Sequence, residues 1–246
     1  MFFFGKKHFL VDHLRNFVDI HNHILPGIDD GAETVEESLK LITGFEEFGV
    51  THFICTPHIM NNYYDNTPNT IKQSYDKLNK ALKQKSYENT TLRYSAEYLV
   101  DDNFENILQS NEYLPLNDTH LLIEMSYLQP SINFGDAVEK IKKRGIFPVF
   151  AHPERYQYLI KDSQKYQAFR KDGIKFQLNM LSLSEYYGKN VKKTAIRLLE
   201  SNSYDFIGSD IHSLKQLLHL KNQLVLERKV LNKLLPLIDH TIETFY

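Results

Sequence analysis

The sequence predicts an α/β fold built on one parallel sheet, which is either a barrel or an open doubly wound sheet. Short apolar runs alternate with amphipathic helical patterns seven times along the 246 residues. The connections are short, and no linker-like or low-complexity stretch divides the chain. Because this length is ample for one large domain, we predict a single domain over residues 1–246. In both architectures, reactive groups gather at the C-terminal ends of the strands.

The first strand and the first helix have clear sequence signals. The short apolar run Phe17–Ile20 is typical of a buried strand. Thr34 and Glu37 fit a capping box at the start of a helix, and Gly49 ends it. Between these signals, apolar residues recur at helical spacing, namely Leu39, Ile42, Phe45 and Phe48.

The later elements repeat this alternation. The predicted strands cover residues 17–20, 51–56, 92–96, 121–123, 146–151, 175–179 and 206–209. The predicted helices cover about 34–48, 68–85, 104–108, 134–144, 165–171 and 191–199. Residues 214–246 are predicted to form two helices that are broken near Pro236, because proline disrupts a helix interior.

Two imidazoles stand directly after the first predicted strand. Alternate side chains of an extended chain point to the same side, so His21 and His23 can face one point in space. The Pro26-Gly27 turn then lets the chain fold back and bring Asp29 or Asp30 to that point. Two imidazole nitrogens and a carboxylate oxygen are the beginning of a metal site.

Metal-ligating residue types recur at the C-terminal ends of the predicted strands. They are His21 and His23, His58, Glu97, Glu124, His152, and Asp210 with His212, whereas Asn179 stands at the one strand end without a strong ligand. If the strands form a barrel, this set surrounds one cavity. Imidazoles and carboxylates together suit zinc, manganese or iron better than calcium or magnesium. His52 and His120 precede their strands and are predicted to lie on the opposite, structural face.

The composition limits the class of function. The formal net charge of −2 argues against a general nucleic-acid binder, which would have a strong basic excess. The single cysteine, Cys55, cannot form an internal disulfide, and a reducing compartment is the natural interpretation. The sequence has neither a secretory signal nor an apolar run near the ~20 residues of a membrane span. We therefore predict a cytoplasmic protein without a membrane span, in which Phe2 to Phe4 pack on the body or on a partner.

The strand-end residues belong to a series of short motifs. These are His21-Asn22-His23, Thr56-Pro57-His58, Glu97, Glu124, Ala151-His152-Pro153-Glu154-Arg155 and Ser209-Asp210-Ile211-His212. The series resembles that of the PHP-domain phosphoesterases. Within this group, Leu25 to Gly31 and His152 to Tyr156 are similar to the bacterial manganese-dependent protein-tyrosine phosphatases of the CpsB/YwqE type. Many PHP proteins have another histidine where this chain has Asp29-Asp30, as the tyrosine phosphatase branch does.

The resemblance implies a distorted seven-stranded (β/α) barrel of the PHP type, with residues 1–16 as a lead-in and 214–246 as C-terminal helices. It implies hydrolysis of phosphotyrosine on a protein, namely a bacterial tyrosine kinase that controls capsular or exopolysaccharide synthesis. A hydroxide that bridges the metals would attack the phosphorus, because bound divalent metals lower the pKa of water. The resemblance implies up to three divalent metal ions, which we expect to be manganese, with iron or zinc as alternatives.

The ligands that the resemblance implies divide into three sets. One metal would bind His21, His23, Glu97 and Asp210, and a second would share Glu97 and add Glu124 and His152. A third would bind His58 and His212, with Asp30 as the carboxylate. The choice between Asp29 and Asp30 stays open in the sequence. Asp30 and His212 are also predicted to act in catalysis together with Arg155.

Arg155 is the predicted substrate clamp, because a guanidinium binds phosphate oxygens with two parallel hydrogen bonds. The alternative is an ion pair between Arg155 and a nearby carboxylate. Alternatives for the whole protein are another PHP activity, such as histidinol-phosphate hydrolysis, and a non-catalytic metal-binding protein. A cysteine-dependent phosphatase is excluded, since its Cys-x5-Arg loop would need arginine where Asn61 follows Cys55.

Overall fold

The apolar runs form parallel strands in a computed structural model that describes residues 8–85, 87 and 89–246. In chain order, the strands are β1 (His8–Phe9), β2 (Val18–Asp19), β3 (His52–Cys55), β4 (His58–Ile59), β5 (Thr91–Tyr94), β6 (Glu97–Leu99), β7 (His120–Glu124), β8 (Phe147–Ala151), β9 (Lys175–Asn179), β10 (Phe206–Gly208) and β11 (Val225–Leu226). The predicted packing of Phe2 to Phe4 lies outside the described residues.

Helices connect most of these strands, so the prediction of a mixed α/β fold is confirmed. In chain order, they are α1 (Val35–Glu46), α2 (Pro68–Gln84), α3 (Phe104–Ser110), α4 (Phe134–Lys143), α5 (Gln157–Lys161), α6 (Gln164–Lys171), α7 (Lys189–Glu200), α8 (Leu214–Gln223) and α9 (Arg228–Phe245). The start of α1 matches its sequence signal, because the Thr34 side chain accepts a hydrogen bond from the backbone N–H of Glu37. The described residues contain no helix that is both long and apolar enough to cross a membrane.

Among the described residues, six strands pair in one parallel sheet in the order β10-β9-β8-β7-β6-β4. A second parallel sheet has the order β2-β3-β5. The chain passes from the smaller to the larger sheet twice, between Cys55 and His58 and between Tyr94 and Glu97. As a result, Glu97, which was predicted to follow a strand, is the first residue of β6.

The ends of β2 and β10 also meet. Asn22 and Ile211 form a parallel bridge, and the backbone N–H of Asp210 donates to the carbonyl of His21 at 2.7 Å. These contacts bring the residues after the first strand next to those after the last. The C-terminal edges of the two parallel sheets therefore face one region.

The predicted helix break near Pro236 is wrong. Pro236 lies inside α9, and the chain breaks earlier, at β11, which pairs antiparallel with β1. Proline removes the N–H that would bond the carbonyl of Asn232. Pro236 and Asn232 are both exposed, so water can bond that carbonyl and the helix continues. The apolar residues of α9 on the other side, including Leu234 and Ile238, are buried in the core.

His120 begins β7, and its ring packs against Phe147, Phe206 and Phe245, with ring centroids 5.2–5.4 Å apart. Burial of the ring lowers the pKa of His120 to about 4. The unfolded chain, in which the pKa is about 6.5, then binds more protons between these two values. The protein therefore loses stability as the pH falls from about 6.5 to 4.

We predict that His120→Gln removes part of this pH dependence. Between pH 7 and pH 5, the free energy of unfolding should fall by about 1 kcal/mol less in the variant than in the wild type. Urea unfolding at both pH values measures this difference. An equal fall in the two proteins would contradict the role assigned to His120.

Candidate metal centre

All nine predicted metal ligands lie in one cluster, in which residues that follow the strands of the smaller sheet meet residues at the C-terminal ends of β7, β8 and β10. His21 and His23 follow β2, His152 follows β8, and Asp210 and His212 follow β10. His58 and Glu97 begin β4 and β6, Glu124 ends β7, and Asp30 lies in the turn before α1. Their ligand atoms fall into three overlapping groups, in each of which the atoms lie within 4.8 Å of one another. These groups are His21, Glu97, His152 and Asp210; His58, Glu97 and Glu124; and His23, Asp30, His58 and His212.

The first group surrounds the Nε2 atom of His21. This nitrogen lies 3.1 Å from Glu97 Oε2 and 3.2 Å from Asp210 Oδ1. The Nε2 atom of His23 is also close, at 3.4 Å from His21 Nε2, 3.5 Å from Glu97 Oε2 and 3.4 Å from Asp210 Oδ1. On the other side of the Glu97 carboxylate, His152 Nε2 lies 3.1 Å from Oε1.

The second group contains atoms that lack hydrogen-bond partners. His58 Nδ1 lies 3.2 Å from Glu97 Oε2 and 3.0 Å from Glu124 Oε1. These three buried atoms form no hydrogen bond with any of the described residues. Buried polar atoms are normally hydrogen-bonded, so three that form no hydrogen bond and lie at one point are suited to bind a cation. An imidazole nitrogen and two carboxylate oxygens fit a divalent cation.

The third group lies nearer the surface. Asp30 Oδ1 is 3.5 Å from both His58 Nε2 and His212 Nε2, and the Asp30 side chain is 53% exposed. The His212 ring stacks on His23, with their centroids 3.8 Å apart. This group is therefore open to a substrate in a way that the buried groups are not.

The two adjacent aspartates have different environments. Asp29 Oδ2 lies 2.7 Å from His23 Nδ1 and accepts from the backbone N–H of His58, while Oδ1 accepts from Gly31 N–H. Burial alone would raise the pKa of Asp29, but His23 and these hydrogen bonds lower it to about 2. Both oxygens of Asp29 are thus engaged, whereas Asp30 faces the imidazoles of His58 and His212.

Sequence reasoning missed the residues that orient the candidate ligands. Gln177 Oε1 lies 2.8 Å from His21 Nδ1, and Asn179 Nδ2 donates to Asp210 Oδ2 at 2.7 Å. Gln177 and Asn179 are two residues apart on β9 and are fully buried. Two amides at alternate positions of a buried strand point to the same side, and that spacing was the available signal.

Charge at the site favours cations. Burial would raise the pKa values of Glu97 and Asp210, but the surrounding imidazoles hold both well below their usual range. Glu124 and Glu97 raise the pKa of His58 to about 9 against the effect of burial. Burial and the nearby charge of His23 lower the pKa of His212 to about 4. A bound cation would replace the proton on the His58 imidazole, so metal binding should release a proton there.

The backbone is strained at two of the candidate ligands. His152 has φ 35° and Asp210 has φ 52°, both in the left-handed region. Non-glycine residues in sparsely populated regions cost about 1–3 kcal/mol each, and they cluster at functional sites. Close packing also requires Gly31, because a Cβ atom there would lie 2.1 Å from the carbonyl oxygen of His23.

Arg155 lies beside this cluster. Its Nη1 atom donates to Asp210 Oδ2 at 2.5 Å, and its side chain is 19% exposed. The ion pair considered as the alternative role of Arg155 is therefore present. One such bond leaves most of the five guanidinium N–H donors for other partners.

The fold and the clustered imidazoles and carboxylates define an α/β protein with a candidate metal centre. The sequence profile of a family described as "Capsular polysaccharide synthesis, CpsB/CapC" matches residues 17–227. This chain belongs to the CpsB/CapC family.

Two named relatives and a solved structure agree with this assignment. Tyrosine-protein phosphatase YwqE of Bacillus subtilis is 31% identical over 199 residues, which cover 80% of this chain and 78% of YwqE. Tyrosine-protein phosphatase CpsB of Streptococcus agalactiae serotype V is 30% identical over 204 residues, 80% of this chain and 83% of CpsB. A structure from a study of YwqE from Bacillus subtilis and CpsB from Streptococcus pneumoniae, described as unique metal-dependent tyrosine phosphatases, superposes with a TM-score of 0.82. It is 29% identical and covers 93% of both chains.

We predict that Asp29→Ala weakens metal binding without unfolding the protein. His23 would lose the carboxylate that orients its ring, and such losses reduce metal affinity about 10–100-fold. Calorimetric titration of metal-free protein with Mn²⁺ measures this affinity. Asp239→Ala, at an exposed position of α9, is the matched control and should bind like the wild type. Unchanged affinity in Asp29→Ala would show that Asp29 does not orient a ligand.

Proposed function

We propose that this protein is a metal-dependent protein-tyrosine phosphatase, which hydrolyses phosphotyrosine on a bacterial tyrosine kinase that controls capsular or exopolysaccharide synthesis. The observation that carries this proposal is the convergence of the unpaired buried atoms of His58, Glu97 and Glu124. The names of the relatives, which are tyrosine-protein phosphatases, support phosphotyrosine as the substrate class. We propose that the enzyme acts in the cytoplasm.

We also propose that the site binds up to three divalent cations, which are manganese ions, with iron or zinc as alternatives. One would bind His21, His23, Glu97 and Asp210. A second would bind Glu97, Glu124 and His152, and a third His58, His212 and Asp30. His58 Nδ1 lies 3.0 Å from Glu124 Oε1, so His58 also faces the second set. Distances of 3.1–3.5 Å between His21 or His23 and the two carboxylates support the first set.

For the fold, we propose one domain over residues 1–246 with a distorted seven-stranded barrel of the PHP type. Residues 1–16 are the lead-in and residues 214–246 the C-terminal helices. The bridge between Asn22 and Ile211 supports closure, because it joins the first and last parallel segments. Continuity of the chain from β3 to β4 and from β5 to β6 supports counting each pair as one barrel strand.

Bound divalent cations supply a hydroxide nucleophile near neutral pH and neutralise charge on the phosphoryl oxygens. The protein's own residues prepare the site for them. Hydrogen bonds from Nδ1–H of His23 to Asp29 and of His21 to Gln177 would direct both Nε2 lone pairs into the cluster. The ionised carboxylates of Glu97 and Asp210 complete this arrangement.

Three residues are proposed to act on the substrate. Arg155 binds the phosphate through the N–H donors that Asp210 leaves free. Asp30 and His212 lie on the more open side of the cluster, where the phosphoryl group would enter. Cys55 takes no part, because it is buried in β3 and burial raises the pKa of its thiol.

The alternatives have less support. Histidinol-phosphate hydrolysis is not favoured, since the named relatives are tyrosine phosphatases. A non-catalytic protein would be expected to lack some of the ligands, yet all nine predicted ligands come together in this structure.

Metal removal tests the proposed reaction. Protein stripped with a chelator should lose at least about 100-fold of its activity on a phosphotyrosine peptide, because the nucleophile is lost. Added Mn²⁺ should restore activity, and Cys55→Ser should behave like the wild type. Phosphate release is the measurement, with histidinol phosphate as the comparison substrate. Activity that persists without metal, or no activity on any phosphoester, would refute the proposal.

Arg155→Ala should lower kcat/KM for the peptide about 10–100-fold, because charge-assisted hydrogen bonds to the phosphate are lost. The manganese content should be unchanged, since Asn179 still donates to Asp210 Oδ2. Steady-state kinetics and elemental analysis measure the two quantities. Arg228→Ala, at an exposed position of α9, is the control. Loss of metal in Arg155→Ala would mean that Arg155 is a structural residue.

A further inference from the structure

Two tyrosine rings contact the guanidinium of Arg155. The ring centroid of Tyr187 lies 4.1 Å from Arg155 Cζ, and that of Tyr127 lies 4.9 Å from it. Both distances are within the range of cation–π attraction. The two tyrosines come from distant parts of the chain, after β7 and after β9. Neither is a candidate metal ligand.

The two tyrosine rings restrict the rotation of the Arg155 guanidinium, which its hydrogen bond to Asp210 alone does not prevent. The bond from Nη1 to Asp210 Oδ2 fixes one corner of the guanidinium. Asn179 Nδ2 donates to the same oxygen at 2.7 Å and so fixes the carboxylate as well. A single hydrogen bond still allows a planar group to turn about it, and contacts with ring faces oppose this rotation. Cation–π attraction is stronger in partly desolvated surroundings, and Arg155 is 19% exposed.

We infer that Tyr187, supported by Tyr127, is a positioning residue that holds the Arg155 guanidinium ready to bind the substrate's phosphate. This inference rests on the proposed phosphatase function and on the clamp role of Arg155. A long arginine side chain loses conformational freedom when it binds a ligand. If the rings fix the guanidinium before phosphate arrives, binding need not fix it, and the affinity for phosphate is higher.

Substitution of Tyr187 tests the inference more specifically than substitution of Tyr127. The Tyr127 hydroxyl lies 3.3 Å from His152 Nδ1, and its ring also stacks on His152 and Tyr156. Substitution of Tyr127 would therefore disturb a candidate metal ligand. The Tyr187 hydroxyl lies 3.5 Å from Asn179 Nδ2, and its ring packs against Tyr186 and the hydrophobic core.

The neighbouring residue offers a matched control. Tyr186 is partly buried, like Tyr187, and its ring packs against His219 at 4.9 Å and against Tyr187 at 5.0 Å. The same substitution at Tyr186 therefore removes a similar ring without removing a contact to Arg155. Tyr187→Phe is the conservative variant, because it keeps the ring and removes only the hydroxyl.

The experiment uses the manganese-loaded full chain. Tyr187→Leu should raise KM for a phosphotyrosine peptide about tenfold, with kcat within about threefold of the wild type. The Kd for inorganic phosphate, measured by calorimetry, should rise by a similar factor. Tyr187→Phe should restore both values to within about twofold of the wild type. Tyr186→Leu should keep the wild-type KM and Kd. Manganese content and Tm should be unchanged in all three variants.

A double-mutant cycle separates positioning from general packing. In the Arg155→Ala background, Tyr187→Leu should add no further loss, because it acts through the guanidinium. A full additional tenfold loss would overturn the inference, as would a wild-type KM and Kd in Tyr187→Leu alone. Loss of manganese or a large fall in Tm would also overturn it, since the ring would then be structural. If the wild type hydrolyses no phosphoester, the proposed function fails, but the phosphate Kd still decides whether Tyr187 positions Arg155.

Discussion

Glu97 and Asp210 are buried carboxylates around which side chains from several strand ends converge. Glu97 lies within 3.5 Å of ring nitrogens of four histidines, His21, His23, His58 and His152. Asp210 contacts His21 and His23 with one oxygen and accepts hydrogen bonds from Arg155 and Asn179 with the other. Ionised groups remain buried only where opposite charges and hydrogen bonds compensate for lost water. The arrangement of the candidate metal centre therefore depends on these two carboxylates.

A further layer of residues holds the ligand side chains in their orientations. Asp29 and Gln177 contact the Nδ1 atoms of His23 and His21, which leaves each Nε2 atom to face the carboxylates. The strained backbone of Asp210 is held by its hydrogen bond to the His21 carbonyl and by the neighbouring contact of Ser209 with Asp19. Since these groups are already in place, little rearrangement is needed when a cation binds.

The order of strands and helices could be predicted because it depends on local patterns. Thr34 caps α1 as its sequence signal indicates, and the apolar runs near Val18 and Leu122 form strands. The sequence did not predict the break before α9, because that break depends on pairing between β1 and β11, which are more than two hundred residues apart. The predicted helix break near Pro236 was wrong for a related reason. The effect of a proline on a helix depends on whether water reaches the carbonyl that it leaves free, and exposure is a property of the folded chain.

For the site, the sequence alone determined which residue types stand at strand ends, since the alternation of an extended strand is a local rule that places His21 and His23 on one side. It also excluded the Cys-x5-Arg loop of a cysteine-dependent phosphatase, because no arginine follows Cys55 at the required position. Only the tertiary structure distinguished the roles of the two adjacent aspartates. Asp29 orients His23, whereas Asp30 faces His58 and His212. The tertiary structure alone brought Gln177 to His21 and Tyr187 to Arg155. The physical reason is that hydrogen bonds and ring contacts act over a few ångströms between distant segments, and only folding determines which segments meet.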